Sequence, residues 1–352
     1  MSAESKSIRG RGAALNPANR FEPIYLEREA DWNPADDPAP PTQFLRDASA
    51  SILSCNESPD IGYRVSVNPY RGCEHGCIYC YARPTHEYLG FSCGLDFETR
   101  ILVKDRAPEL LRQALASSKW QPDTIAFSGV TDCYQPVERR LRLTRRCLEV
   151  LVEFRNPVCI ITKNHLVTRD LDLLAELARF HAATVLISLT TLDRTLTPKL
   201  EPRTSLPEHR LAAIRALRDA GVPVGVLVSP VIPGLNDHEI PRLVAAAAEA
   251  GAGFAFYTLL RLPHAVKEIF VDWLERHFPG RKDKVLGRLQ AMRGGKLSDA
   301  EFFSRMTGEG VLARQIHDLF EVSRHRAGLA KAGPALSTAA FRRPAGGQLT
   351  LL

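Results

Sequence analysis

Long apolar runs are missing from these 352 residues, and no stretch approaches the roughly 20 consecutive apolar positions that a bilayer-crossing helix needs. Aromatic residues are also few, at 7%. The net charge of +6 is small against 46 basic and 40 acidic side chains, a balance that permits contact with nucleic acid without demanding it. Met1 to Ala14 carries Lys6, Arg9 and Arg11, but no apolar segment follows, so the pattern of a secretory leader is absent. A soluble, cytoplasmic chain with no membrane partner is the expectation. A CxxC pair outside one short loop is lacking too. Eight cysteines, three of them within eight residues, suit metal binding in a reducing compartment better than a disulfide framework.

Residues 1–60 are rich in Pro, Asp, Glu and Ser, and the run from Asn33 to Pro41 cannot sustain helix or strand. This reads as an N-terminal arm, expected to be partly disordered. Beyond it, β-branched runs alternate with longer amphipathic stretches, as in parallel strands joined by helices. Strands are expected at 64–67, 124–127, 158–162, 184–189, 224–228 and 254–259. Helices are expected at 108–116, 137–154, 171–180, 207–220, 239–250 and 266–277, each crossover long enough for a right-handed βαβ unit. Gly221-Val222-Pro223 and Gly251-Ala252-Gly253 stop two helices just before a strand. Residues 61–280 therefore read as one α/β domain, and 281–352 as a helical extension with a coil tail.

Directly after the first expected strand stands Asn68-Pro69-Tyr70-Arg71-Gly72-Cys73-Glu74-His75-Gly76-Cys77-Ile78-Tyr79-Cys80-Tyr81, a CxxxCxxC loop. Three thiolates on one short loop can each bind a different iron of a cubane, which leaves the fourth iron without a protein ligand. A structural zinc site is the competing reading. It needs four ligands, so His75, His86 or Cys93 would have to complete it. Cys55 and Cys93 are isolated, while Cys147 and Cys159 sit in apolar patterns that read as core.

The loop resembles the signature of the radical S-adenosylmethionine (radical SAM) superfamily, CxxxCxΦC with the aromatic Tyr79 before the third cysteine. Its place at the end of a first strand, with five more β/α units following, is similar to that superfamily's partial (β/α)6 barrel of TIM type. The resemblance spans residues of about 60 to 280. It implies a [4Fe-4S] cluster on Cys73, Cys77 and Cys80, with SAM chelating the open iron. It further implies reductive cleavage of SAM to a 5′-deoxyadenosyl radical that acts on a substrate, and an external one-electron reductant of flavodoxin or ferredoxin type. Asn68 to Cys73, Thr131 to Glu138 and Glu201-Pro202-Arg203 look like the spore photoproduct lyase-like (DNA repair photolyase-like) branch. A nucleic-acid base lesion or modification is therefore the first substrate class, a peptide or small metabolite the second, and a non-catalytic iron–sulfur or zinc nucleic-acid-binding protein the third reading.

Strand ends and the loops beyond them are the functional face of such barrels. By resemblance, Tyr79 of the signature is a cofactor-binding residue, Ser128, Gly129, Thr131 and Asp132 border the SAM amino group, and Ser188 and Thr190 are placed to meet its ribose or carboxylate. Arg203 matches an arginine that pairs with that carboxylate bidentately. Val231 belongs to the segment that flanks the adenine, and Cys133, with Tyr134 beside it, is the candidate hydrogen-atom donor. Each has a plainer reading: turn and cap for Ser128 to Asp132, strand packing for the threonines, a small semi-buried residue for Cys133. Lys163 and Asn164 face the same mouth. The basic run Glu138 to Arg146 reads either as a phosphate-engaging patch or as a solvated helix face.

Overall fold

The computed structural model describes residues 8–22, 40–127 and 129–344. In chain order the strands are β1 (Gln43–Arg46), β2 (Leu53–Cys55), β3 (Val65–Val67), β4 (Tyr70–Arg71), β5 (Arg100–Val103), β6 (Ile125–Phe127), β7 (Val158–Thr162), β8 (Ala183–Ser188), β9 (Val224–Val231) and β10 (Phe254–Leu259). Six of them, β3, β6, β7, β8, β9 and β10, pair side by side in that order and all run parallel. β3, β6 and β8 are buried throughout, which is why β6 and most of β8 read as apolar runs rather than alternation.

Helices return the chain between these strands. They are α1 (Leu95–Thr99) and α2 (Ala107–Ala116) before β6, α3 (Glu138–Leu141) and α4 (Leu143–Phe154) before β7, and α5 (Leu171–Ala178) before β8. α6 (Thr197–Leu200) and α7 (Pro207–Asp219) precede β9, α8 (Ile240–Ala250) precedes β10, and α9 (Val266–His277) follows it. α10 (Lys282–Ala291), α11 (Ser304–Thr307) and α12 (Gly310–Arg326) form the C-terminal extension. No helix among the described residues is long and apolar enough to cross a membrane. Fully buried side chains such as Phe127, Phe270 and Leu111 fill the core, each stabilising the fold by about 1.5–3 kcal/mol.

The six expected strands all appear, with β9 running on to Val231. The helix expected over 137–154 is broken, because Arg142 turns left-handed (φ 53°) between α3 and α4. Glu138 supplies the reason. Its buried carboxylate accepts from the Tyr70 hydroxyl and from the Thr144 backbone N–H at 3.1 Å, and the turn brings Thr144 back to it. The basic run is also paired in part: Arg145 binds Asp170 and Asp172, and Arg146 binds Glu109.

The sheet is open. β2 pairs antiparallel with β3 at one edge, and Ala330 covers the other by donating to the Gly253 carbonyl at 3.0 Å. Among the described residues no strand pair closes it into a full barrel, so the architecture is a mixed α/β fold with N-terminal strands and C-terminal helices.

Part of the N-terminal stretch belongs to the body rather than to a loose arm. Ala13 and Ala14 are buried, and β1 joins β5 and β4 in a second, three-stranded sheet. Of the run Asn33 to Pro41, all but Pro40 and Pro41 lie outside the described residues.

Candidate active site

β3 ends at Val67, and the cysteine loop folds directly beyond it, tied down along its length. The Cys73 N–H donates to the Phe97 carbonyl at 2.9 Å, Glu74 N–H to the Gln135 side chain at 2.9 Å, and Ile78 N–H to the Leu200 carbonyl at 3.0 Å. Gly76 is left-handed (φ 66°), and a Cβ there would meet Glu98 Oε2 at 2.7 Å. Fully buried Arg83 pairs with Glu98 and donates to the Cys77 carbonyl at 2.9 Å. Glu98 in turn accepts the Gly12 N–H at 3.0 Å and the Ala13 N–H at 2.9 Å. The N-terminal segment thus braces the loop, and it packs so closely that a Cβ on Gly12 would fall 1.9 Å from the Gly76 oxygen.

Cys73, Cys77 and Cys80 all line one cavity of about 310 Å³. Thr162, Ser188, Ser229 and Leu259, from the C-terminal ends of β7, β8, β9 and β10, form its floor and far wall. Burial pushes the Cys77 and Cys80 thiols up, so a cation must displace their protons when it binds. The donor chemistry fits an iron–sulfur cluster: three soft thiolates of one loop, each available to a separate iron.

The structure brings some of the expected cofactor residues to this cavity and directs others elsewhere. Tyr79, Thr131, Asp132 and Ser188 line it. Gly129 adjoins it, its carbonyl accepting from the Tyr81 hydroxyl at 2.8 Å, and Ser128 lies outside the described residues. Thr190 does not reach the cavity surface; its hydroxyl stands 2.6 Å from Glu201 Oε1 and 3.0 Å from the Ser229 carbonyl. Arg203 turns away to pair with Glu74 at 3.0 Å, fixing the loop from behind. Val231 is buried in β9, where its carbonyl accepts from the Leu260 N–H at 3.0 Å. Cys133 is fully buried, its carbonyl accepting from the Thr144 hydroxyl at 2.6 Å, and it is not among the lining residues.

Two buried ion pairs, one beneath the cavity and one on its lining, had no local signature. Glu201 pairs with Arg210, both fully buried, and also accepts from the Tyr79 hydroxyl. Burial alone would raise the Glu201 carboxyl, but the Arg210 guanidinium and then the Lys163 ammonium outweigh it and hold it at about 2. Its network fixes the Tyr79 ring against the cavity. The second pair joins His75 Nδ1 to Asp132 Oδ2 at 3.3 Å. Burial opposes a charge on His75, yet the Asp132 carboxylate and then the Cys73 thiol lift it to about 10. Asp132 also accepts from the Thr162 hydroxyl and the Lys163 N–H, both at 2.8 Å, so its carboxylate is committed to holding loop and strand together. The Glu201-Pro202-Arg203 motif pointed to this neighbourhood, although the guanidinium that pairs with Glu201 is that of Arg210, nine positions on.

With this geometry in hand, comparison with known proteins is decisive at one level. The family model of the radical SAM superfamily matches residues 67–247, just over half of the chain. The chain belongs to the radical SAM superfamily. It carries that family's catalytic domain, and a cluster-and-SAM mechanism is general to the family. A protein of Mycobacterium tuberculosis is 40% identical over 219 residues, 62% of this chain and 64% of that one, so the match spans less than two thirds of that relative's length. A Methanocaldococcus jannaschii protein is 29% identical over 218 residues, 62% of this chain and 78% of its own. The radical SAM Nalpha-GlyT isomerase of Pseudomonas phage M6 is 25% identical over 229 residues, 64% of this chain and 46% of that enzyme. Two solved structures of spore photoproduct lyase, one with dinucleoside spore photoproduct bound, superpose with TM-scores of 0.59 and 0.58 at 16% identity, covering 81% of this chain and 80% of theirs. At that identity the likeness is one of fold.

Proposed function

We propose that this radical SAM enzyme holds a [4Fe-4S] cluster on Cys73, Cys77 and Cys80 and SAM in the adjoining cavity. When bound, these groups supply a 5′-deoxyadenosyl radical through one-electron reduction. The observation that carries the reading is that three thiols of a single loop line one cavity together with the C-terminal ends of four parallel strands, the open end of a partial (β/α)6 arrangement.

The chain's own residues have defined tasks in this reading. Arg83, Glu98 and the Gly12–Ala13 amides hold the Cys77 backbone in place, so the thiols are presented without reorganisation. Lys163 lines the cavity with its Nζ 5.9 Å from the Tyr79 ring centroid and places a positive charge beside the cysteine loop. Thr131 and Ser188 offer hydroxyl groups to SAM, while Val130, Leu227 and Met306 keep water from the reacting centre. The substrate class we assign is a nucleic-acid base lesion or modification, supported by the lyase-like fold and by Tyr63 and Tyr81 on the cavity wall, where a base can stack. Residues 61–280 are the catalytic unit and 281–352 its extension, working in the cytoplasm with a flavodoxin- or ferredoxin-type reductant.

The test is anaerobic reconstitution followed by iron and sulfide analysis and electron paramagnetic resonance of the reduced protein. About four irons per chain, with a spectrum that shifts when SAM is added, is the expected result. A protein that binds zinc in preference to iron, or a spectrum indifferent to SAM, would overturn the reading.

A further inference from the structure

Among the described residues, two cations line the cavity with no carboxylate at salt-bridge distance, and they differ in what surrounds them. Lys163 bears on Glu201, Cys77 and Cys80, so the thiolates of a loaded loop answer its charge. Arg261, just beyond β10, stands on the wall formed by Tyr81, Met306 and Asp60. Its guanidinium lies 5.3 Å from the Tyr81 ring centroid, and its Nη1 is 3.6 Å from the Met306 sulfur. Among the described residues no carboxylate reaches salt-bridge distance of it. Asp60, its nearest acid on this wall, is taken by Arg305 on both oxygens and by the Phe303 N–H at 3.0 Å. Asp132, the other acid of the lining, is taken by His75.

We infer that Arg261 anchors an anionic oxygen group of the substrate, a phosphate or a carboxylate, at this wall of the cavity; this rests on the radical SAM reading above. Burial and the like charge of Arg305 both work against a cation here and lower its pKa by more than Tyr81 and Asp60 restore, a cost that a fold without use for the charge has no reason to carry. A thioether is a weak acceptor for a guanidinium, whereas a phosphate or carboxylate accepts two parallel N–H bonds from its fork. Met306 sits on the short helix α11, and Gly308 and Gly310 just beyond it are left-handed (φ 69° and 83°), so the sulfur can yield its place without breaking a long element.

The experiment uses the full chain, anaerobically reconstituted and supplied with SAM, titrated by calorimetry at low ionic strength with inorganic phosphate and, separately, with acetate. Saturable binding of at least one of them is expected, and the tighter of the two tells whether the substrate brings a phosphate or a carboxylate. Arg261→Gln should weaken that binding tenfold or more, and Arg261→Lys, which keeps the charge and loses the fork, should fall between. Arg343→Gln, at an exposed arginine that donates to the Ser117 and Trp120 carbonyls, should bind as the parent does. Absence of saturable binding by the parent, or equal binding by Arg261→Gln, would overturn the anchor. Iron content and 5′-deoxyadenosine release on the same samples keep the two readings apart. Arg261-dependent binding by a protein without either would sink the cofactor assignment alone, and their presence without such binding would sink the anchor alone.

Discussion

The cavity has two walls built on opposite principles. The cysteine wall is over-determined: Arg83–Glu98, Glu201–Arg210 and His75–Asp132 are buried ion pairs, and the backbone between Cys73 and Ile78 is bonded to four separate segments. The wall around α11 rests on one acid–base pair, Asp60–Arg305, with the buried Arg293 donating to the Ser304 and Arg305 carbonyls and the Asp299–Ser304 contact beside it, and it leaves Phe302 and Phe303 half or more exposed. Phe303 is itself left-handed (φ 66°), an uncommon state for a bulky residue. The difference teaches that the side of the cavity carrying the three thiols is fixed by many buried interactions, while the side we propose as the substrate wall carries fewer of them.

The strongest way to break this comparison is Cys77→Ala. It should abolish cluster uptake and SAM cleavage together, read as iron per chain and as nucleoside product, because the two remaining thiols leave a second iron without a protein ligand. Next, Glu201→Gln strands Arg210 as a buried charge and should cost about 3–5 kcal/mol in urea unfolding. The pH dependence has a definite sign. Glu201 is held below its ordinary 4.5, at about 2, so its contribution is complete above pH 4.5 and is lost as the pH falls towards 2. The variant should therefore show a flatter stability profile across that window.

Gly12→Ala should have a smaller effect, about 1–3 kcal/mol, because its methyl group overlaps the Gly76 carbonyl and pushes the N-terminal segment off the loop. The sharper readouts are faster proteolysis at the N-terminus and faster loss of cluster in air. Asp60→Ala should act on stability locally more than globally, accelerating amide exchange across 299–310, because the pair it breaks ties α11 to the body. A global loss as large as that of Glu201→Gln would show that the two walls do not differ in the way described.

What could be seen in the chain beforehand follows the range of the interaction. The six parallel strands were visible as β-branched and apolar runs between amphipathic stretches, most plainly where both faces are buried, as in β8, and the thiols because their spacing is local. The partners beneath them were not. Glu98 meets Gly12 across 86 positions, and His75 meets Asp132 across 57, separations at which no periodicity carries a signal. Arg203 and Arg210 illustrate the limit at close range. Both follow Glu201, and only the fold decides that Arg210 pairs with it while Arg203 turns to Glu74. The same holds for Cys133, whose neighbours in sequence line the cavity while it packs inside.

The most direct measurement is 5′-deoxyadenosine released by the reconstituted protein under a strong one-electron reductant with SAM present, with the Cys77→Ala protein run in parallel. The account predicts nucleoside from the parent and none from the variant. An intact cluster in the parent that yields no 5′-deoxyadenosine, or equal yields from both, would contradict it.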